Sequence, residues 1–157
     1  MSEDLTNQLL KTGCYCLNES PRCPFTNLFI GDYTLPLRSD ADEQLLLQLS
    51  FLQTVKLSSI QIGIPNDDSC PQTIKLFCNK NNLGFAEAAD SPPAQIITVS
   101  KGSKIAKFDL SAVKWQRVDS ITLFVENNYG DDQSVLHSLK VFGSPVHGTN
   151  VSNIKQS

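Results

Sequence analysis

Residues 39–51, SDADEQLLLQLSF, place three acids in four residues immediately before a run of alternating apolar side chains. Leu45, Leu47, Leu49 and Phe51 share one parity, and Gln44, Gln48 and Ser50 share the other. That period of two belongs to a β-strand with one face turned to the core and one to water. Leu46 alone breaks the alternation. The acids Asp40, Asp42 and Glu43 fall in the turn that delivers the chain to this strand.

The rest of the chain repeats the theme. In VKLSSIQIGI, Val55 and Leu57 lie on one parity, whereas Ile60, Ile62 and Ile64 lie on the other. A phase flip at Ser58-Ser59 predicts a bulge, or a strand passing from one sheet to another. Short alternating runs follow at 73–78, 96–99, 105–110, 112–115, 121–125 and 139–141, separated by Gly, Pro, Asn and Asp. Pro21, Pro24, Gly31 and Pro36 punctuate residues 21–37, where Leu28–Ile30 and Tyr33–Leu37 fit short strands or irregular coil. Residues 79–95 read as a long connection containing Pro92-Pro93, and Ser144–Ser157 as a loosely held polar tail. One helix is expected, over Glu3–Lys11, from the spacing of Leu5, Leu9 and Leu10 and from Gly13 at the C-terminal cap position. Many short strands, frequent turn signals and no βαβ rhythm predict an all-β sandwich or jelly roll with a short N-terminal helix.

At 157 residues the chain fits a single domain, which buries roughly 70% of the surface its unfolded form exposes. It needs neither metal nor disulfide to fold. The net charge of -3, without a cluster of Lys and Arg, argues against nucleic acid. No apolar run approaches the ~20 residues of a membrane helix, and the first residues lack the pattern of a signal peptide. A cytoplasmic location is expected, and the size is compatible with the nucleus. The five cysteines are therefore expected to be reduced.

Several residues have the chemistry for a site. Cys14, Cys16 and Cys23 are candidate reactive thiols, although their spacing suits neither a zinc site nor a Cys-x-x-Cys redox centre. The acids Asp40, Asp42 and Glu43, the pair Asp67-Asp68 and the pair Asp131-Asp132 all occupy predicted loops. They fit solvated turns or a partner surface, with calcium as a less common use. Tyr33, Trp115 and Tyr129 are the rings available to a sugar-binding sandwich, but the parity of Trp115 with Val113 places it in the core. His137 shares parity with Leu139 and Val141 and reads as packed, and His147 lies in the tail. No phosphate loop, zincin helix or nucleophile elbow is present, so neither catalysis nor a cofactor is expected.

Five motifs carry a family resemblance: GCYCLNES (13–20), SDADEQLLLQLSF, VKLSSI (55–60), VDSITLFVENNYGD (118–131) and FGSPVHGTN (142–150). Taken in this order they closely resemble the PITH domain, the C-terminal module of thioredoxin-like protein 1 and its relatives. The resemblance spans nearly the whole chain, 1–157. It implies a jelly-roll β-sandwich similar to galactose-binding domains, acting without catalysis to dock on the 26S proteasome through its 19S regulatory particle. In the family, redox chemistry belongs to a separate thioredoxin domain with a Cys-x-x-Cys pair, and no such pair occurs here. The resemblance matches Cys16 to the family's cysteine position and Asp40, Asp42, Glu43, Gln44 and Leu45 to its acidic turn. A monomer is expected. The alternatives are a lectin-like ligand-binding module, or a thiol partner of a separate thioredoxin through Cys14, Cys16 and Cys23.

Overall fold

In a computed structural model, residues 2–30, 32 and 34–146 are described. Tyr33 and His147, with the tail beyond, lie outside them. Ten strands occur among the described residues: β1 (Glu3–Asp4), β2 (Tyr15–Leu17), β3 (Leu37–Arg38), β4 (Leu45–Gly63), β5 (Pro71–Cys78), β6 (Gln95–Thr98), β7 (Ile105–Asp109), β8 (Val118–Asn128), β9 (Val135–Leu136) and β10 (Ser138–Pro145). All pairings are antiparallel. One α-helix, α1, spans Phe85–Asp90.

β4 organises the molecule because it serves two layers. Its first half pairs with β2 through Leu46–Gln48 and with β8 through Leu45–Ser50, and β5 and β6 extend that layer beyond β8. Its second half pairs with β10 on one side and β7 on the other, and β1 closes the edge beyond β10. Between the halves, residues 51–54 swing out opposite a single residue of β8, since Ser50 faces Ser120 and Val55 faces Val118. The strand bends there, and Leu52 at the bend is 59% exposed.

The phase flip in the sequence marks a real bulge. Phe142 of β10 lies opposite Ser59, whereas Gly143 lies opposite Leu57, leaving Ser58 as the extra residue. Because of that residue, Val55 and Leu57 before it and Ile60 and Ile62 after it all enter one core. The leucine stripe Leu45, Leu47 and Leu49 joins the same cluster from the facing layer. Burying a side chain of this size contributes about 1.5–3 kcal/mol, so the alternation is the main source of sandwich stability.

The other face of β4 is not wet, contrary to the expectation from its glutamines. Leu46 is fully buried with Phe77, Phe124 and Ala88, and Phe85 of α1 sits 6.1 Å from Phe124 between ring centroids. The Glu87 carboxylate accepts the Gly84 N–H at 3.0 Å and fixes the start of α1. This helix lies within the stretch expected to be a long connection, and it explains why Leu46 broke the pattern. Gln48, only 2% exposed, accepts the Thr122 hydroxyl at 2.5 Å and donates to Asn81 at 3.3 Å. Buried polar groups persist where they are paired in this way.

Other expectations shift. Glu3–Lys11 is not a single helix: Glu3–Asp4 pair with β10, and two 3₁₀ turns follow at Thr6–Gln8 and Lys11–Gly13. The edge of β10 captures this segment through hydrogen bonds such as Leu5 N–H to the Val141 carbonyl at 2.8 Å, which a helix would forgo. Phe25–Phe29 forms a 3₁₀ helix that takes in part of 28–30, expected as a short strand or coil, and 112–115 forms a turn in place of a strand. Ser144 and Pro145, expected in the tail, belong to β10 opposite Lys56 and Val55. Trp115 is fully buried, as expected, but from a turn and not with Val113, which is 80% exposed; its indole N–H is donated to Gln95 at 3.2 Å.

Candidate docking surface

Because both ends of the bent β4 return to the same end of the sandwich, the loops before and after it become neighbours. The loop 40–43 precedes β4, the loop 65–69 follows it, and the loop 129–134 leaves β8 between them. All seven candidate acids, Asp40, Asp42, Glu43, Asp67, Asp68, Asp131 and Asp132, therefore gather at one end of the molecule.

Asn18, placed beside this end by β2, shapes the first loop. It adopts a left-handed backbone at φ 68°, a conformation that asparagine tolerates better than most residues. Its side-chain amide donates to Asp42 Oδ1 at 2.9 Å and to the Gln44 carbonyl at 2.7 Å, while its Oδ1 accepts the Ala41 N–H at 3.1 Å. Asp42 Oδ1 also accepts the Gln44 N–H at 3.0 Å, closing the turn. Asp40 and Asp42 are both exposed, but Asp42 Oδ1 is occupied by these bonds.

Hydrogen bonds then tie this loop to the third. Ser39 N–H donates to the Ser134 carbonyl at 3.0 Å, and Ser134 N–H returns a bond to Ser39 Oγ at 2.8 Å. Ser134 Oγ donates to the Glu43 carbonyl at 2.6 Å, and Gln133 Nε2 to the Ser39 carbonyl at 2.9 Å. Asn128 organises the third loop from within, donating to the carbonyls of Asp131 and Gln133, both at 3.0 Å. Asp68 joins the second loop to the third, since its carbonyl accepts the N–H groups of Tyr129 and Asp131 at 3.2 and 3.3 Å. Asp42, Glu43, Asn128, Gly130, Asp131 and Asp132 line a shallow cleft of about 480 Å³ between the loops.

This end is strongly negative. Lys101 pairs with it directly, with Nζ 2.9 Å from Asp68 and 5.0 Å from the centre of the Tyr129 ring, and the Arg38 guanidinium also bears on Asp67. The Ser69 hydroxyl and N–H both donate to Asp67 Oδ1 and hold that carboxyl below the usual carboxylate range. Donating to the Asp68 carboxylate raises the Lys101 ammonium in turn. Among the described residues, no three carboxylate, imidazole or thiol groups converge to hold a metal ion. Asp42, Glu43, Asp131 and Asp132 line the cleft, and of the seven acids only Glu43 is not exposed.

Sequence reasoning found the acids but not Asn18, Asn128, Gln133 and Ser134, the uncharged residues that bring them together. The one available signal was asparagine beside turn residues, in Leu17-Asn18-Glu19 and Asn128-Tyr129-Gly130.

The thiols lie elsewhere. Cys14 and Cys16 turn the same way from β2 and its approach, and both pack against the main core. All five cysteines are free. Burial raises the Cys14 thiol and raises Cys16 far more, so both remain protonated and poorly nucleophilic. The rings are no better exposed for a sugar. Trp115 is buried, and the Tyr129 hydroxyl is donated to the Val99 carbonyl.

The sequence matches the family described as PITH domain over residues 1–157. The chain belongs to this family. Among curated PITH relatives, Thioredoxin-like protein 1 of Schizosaccharomyces pombe is 35% identical over 138 residues, covering 83% of this chain and 48% of that protein. The chain thus spans about half the length of that relative. PITH domain-containing protein CG6153 of Drosophila melanogaster is 27% identical over 147 residues, with 88% of this chain and 70% of that protein covered. A solved family 32 carbohydrate-binding module from C. perfringens NanJ, in complex with galactose, superposes with a TM-score of 0.70 at 10% identity, covering 90% of this chain and 99% of that one. At that identity the likeness establishes the fold of the PITH domain as a galactose-binding-like β-sandwich and nothing of its ligand.

Proposed function

We propose that this PITH domain is a non-catalytic interaction module that docks on the 26S proteasome through the 19S regulatory particle, presenting its acidic end to a basic surface. The observation that carries this reading is the convergence of three acidic loops, separated in sequence, into one hydrogen-bonded surface opposed directly by Lys101. A negative patch of this kind steers association with a positive partner and sets its orientation. The family resemblance supplies the identity of the partner. Membership in a family whose relatives include thioredoxin-like proteins fits a module that delivers a separate activity to a larger machine.

The test is capture of purified regulatory particle by the folded domain. Capture is expected at modest salt and should weaken as salt rises. Asp40→Lys combined with Asp131→Lys and Asp132→Lys should weaken it by about tenfold or more, because all three side chains are exposed. A folded domain that recovers no particle, or a triple variant that binds as well as the parent, refutes the reading.

A further inference from the structure

The bend in β4 makes a second cleft, at the end of the sandwich away from the acidic loops. Lys56, Gln116, Arg117, Ser144, Pro145 and Val146 line a hollow of about 350 Å³ there. Three segments meet in it, each fixed by its backbone. Leu57 N–H donates to the Trp115 carbonyl at 2.9 Å, holding 115–117 beside Lys56, and Val146 N–H donates to the Thr54 carbonyl at 3.1 Å. The third constraint is Gly143, where a β-carbon would lie 1.9 Å from the Lys56 carbonyl oxygen. Glycine alone lets β10 approach β4 closely enough to form this wall. Two of the motifs singled out in the sequence, VKLSSI and FGSPV, therefore build one cleft that the acidic end does not use.

The chemistry of the cleft is that of a carboxylate receptor. Lys56, Gln116 and Arg117 are exposed, and neither cation has an acidic partner among the described residues. The nearby acid Asp119 accepts the Thr54 hydroxyl at 2.6 Å and forms no ion pair with either cation among the described residues. A guanidinium offers paired N–H groups to a carboxylate, and an ammonium beside it accepts a second one. Exposed apolar side chains adjoin the same segments in sequence: Leu52, two residues before Thr54, is 59% exposed, and Val113, three residues before Gln116, is 80% exposed.

An extended polyanion fits poorly. Nucleic acid binding draws on many phosphate contacts, whereas this cleft offers two cations on a chain of net charge -3. We propose that the cleft is a second, independent binding site for a short acidic segment of a protein partner, its carboxylates held by Arg117 and Lys56 and an adjoining apolar side chain resting near Leu52 or Val113. The site goes beyond docking by the acidic end and lets one domain contact a basic and an acidic surface at once.

The experiment titrates the 157-residue chain with a fluorescein-labelled glutamate-rich peptide containing a central leucine, and with its glutamine counterpart. Anisotropy reads affinity, and amide chemical shifts read location. The glutamate peptide should bind saturably and shift the amides of Lys56, Gln116 and Ser144, whereas the glutamine peptide should not. Lys56→Glu and Arg117→Glu should each weaken binding by about tenfold, while Lys107→Glu on β7, an equal change of charge outside the cleft, should leave it nearly unchanged. Arg117→Gln provides a milder variant, and thermal unfolding checks that each variant is folded. The proposal fails if no saturable binding occurs, if the shifts map elsewhere, or if Lys107→Glu weakens binding equally. It also fails if a single-stranded oligonucleotide or phosphatidylserine vesicles occupy the cleft more tightly than the peptide.

Discussion

Asn18 and Asp42, 24 residues apart, are joined by a 2.9 Å hydrogen bond from Asn18 Nδ2 to Asp42 Oδ1, and this bond shapes the acidic turn ahead of β4. The same Asn18 side chain holds Ala41 and Gln44, so one residue sets the path of the loop. Without it, the backbone groups it satisfies turn to water and the turn loosens.

Asn18→Ala should therefore cost about 1–3 kcal/mol of stability, the range for leaving partly buried hydrogen-bonding groups unpaired. Asn18→Gly keeps access to the left-handed backbone and should lose less. Urea unfolding gives the ranking. Capture of the regulatory particle should fall for both variants even where the domain stays folded, because every acid is retained and only the geometry is lost.

Gln48 and Thr122 make a second polar contact with a clear prediction. Thr122 is fully buried, and its hydroxyl is donated to Gln48 Oε1. Thr122→Val keeps the shape but strands the amide oxygen, so a loss of about 1–3 kcal/mol is expected by denaturant titration. The double variant Thr122→Val with Gln48→Leu should recover part of that loss, since both partners then become apolar.

Gly143 faces the Lys56 carbonyl too closely for any side chain. Gly143→Ala should destabilise the domain by roughly 3 kcal/mol or more, at or above the upper part of the range for overpacking, because the obstacle is backbone. Gly130 differs: its φ of 129° strains a substituent, yet nothing lies within 4 Å of a β-carbon there. A lower melting temperature for Gly143→Ala than for Gly130→Ala is the expected order.

The buried thiols predict an alkaline limit. Burial pushes the Cys70 thiol up to about 11, above the value of about 8.5 expected in an unfolded chain. The folded state thus favours the protonated thiol. Its contribution is complete below about pH 8.5 and is lost as pH rises towards about 11. Cys70→Ala should flatten the fall in urea midpoint across that window. At pH 8, iodoacetamide should leave Cys16 and Cys70 unmodified in the folded protein and label both in urea. Rapid labelling of Cys16 in the native state would revive a redox role.

Much of the architecture is visible in local pattern. The odd-numbered leucines of β4 and the isoleucines after Ser58 are buried because a strand exposes alternate residues to one face, and a bulge is the one simple way to reverse that parity without leaving the sheet. Burial of Trp115 was expected from parity with Val113, but Val113 is 80% exposed and both residues lie in a turn, so strand alternation is not its cause. The pattern misled at Glu3–Lys11, where leucine spacing suits one helical face but the open edge of β10 offers hydrogen bonds to an extended chain. It was silent on α1, since six residues are too few to display a helical period.

The sequence by itself determined that the chain forms strands with defined faces, that they close into a sandwich, and that it carries three acidic turns. Only the tertiary structure decided that the turns meet. Their adjacency depends on the register of β4 against β8 and β10 and on the bend at 51–54, which fold the strand back on itself. The same bend places Lys56 beside Arg117 at the opposite end and gives a chain of modest net charge two surfaces of opposite sign. Parity is written residue by residue, because each side chain chooses core or water on its own. Contacts between distant loops arise from pairings across many residues at once, and no local pattern encodes them.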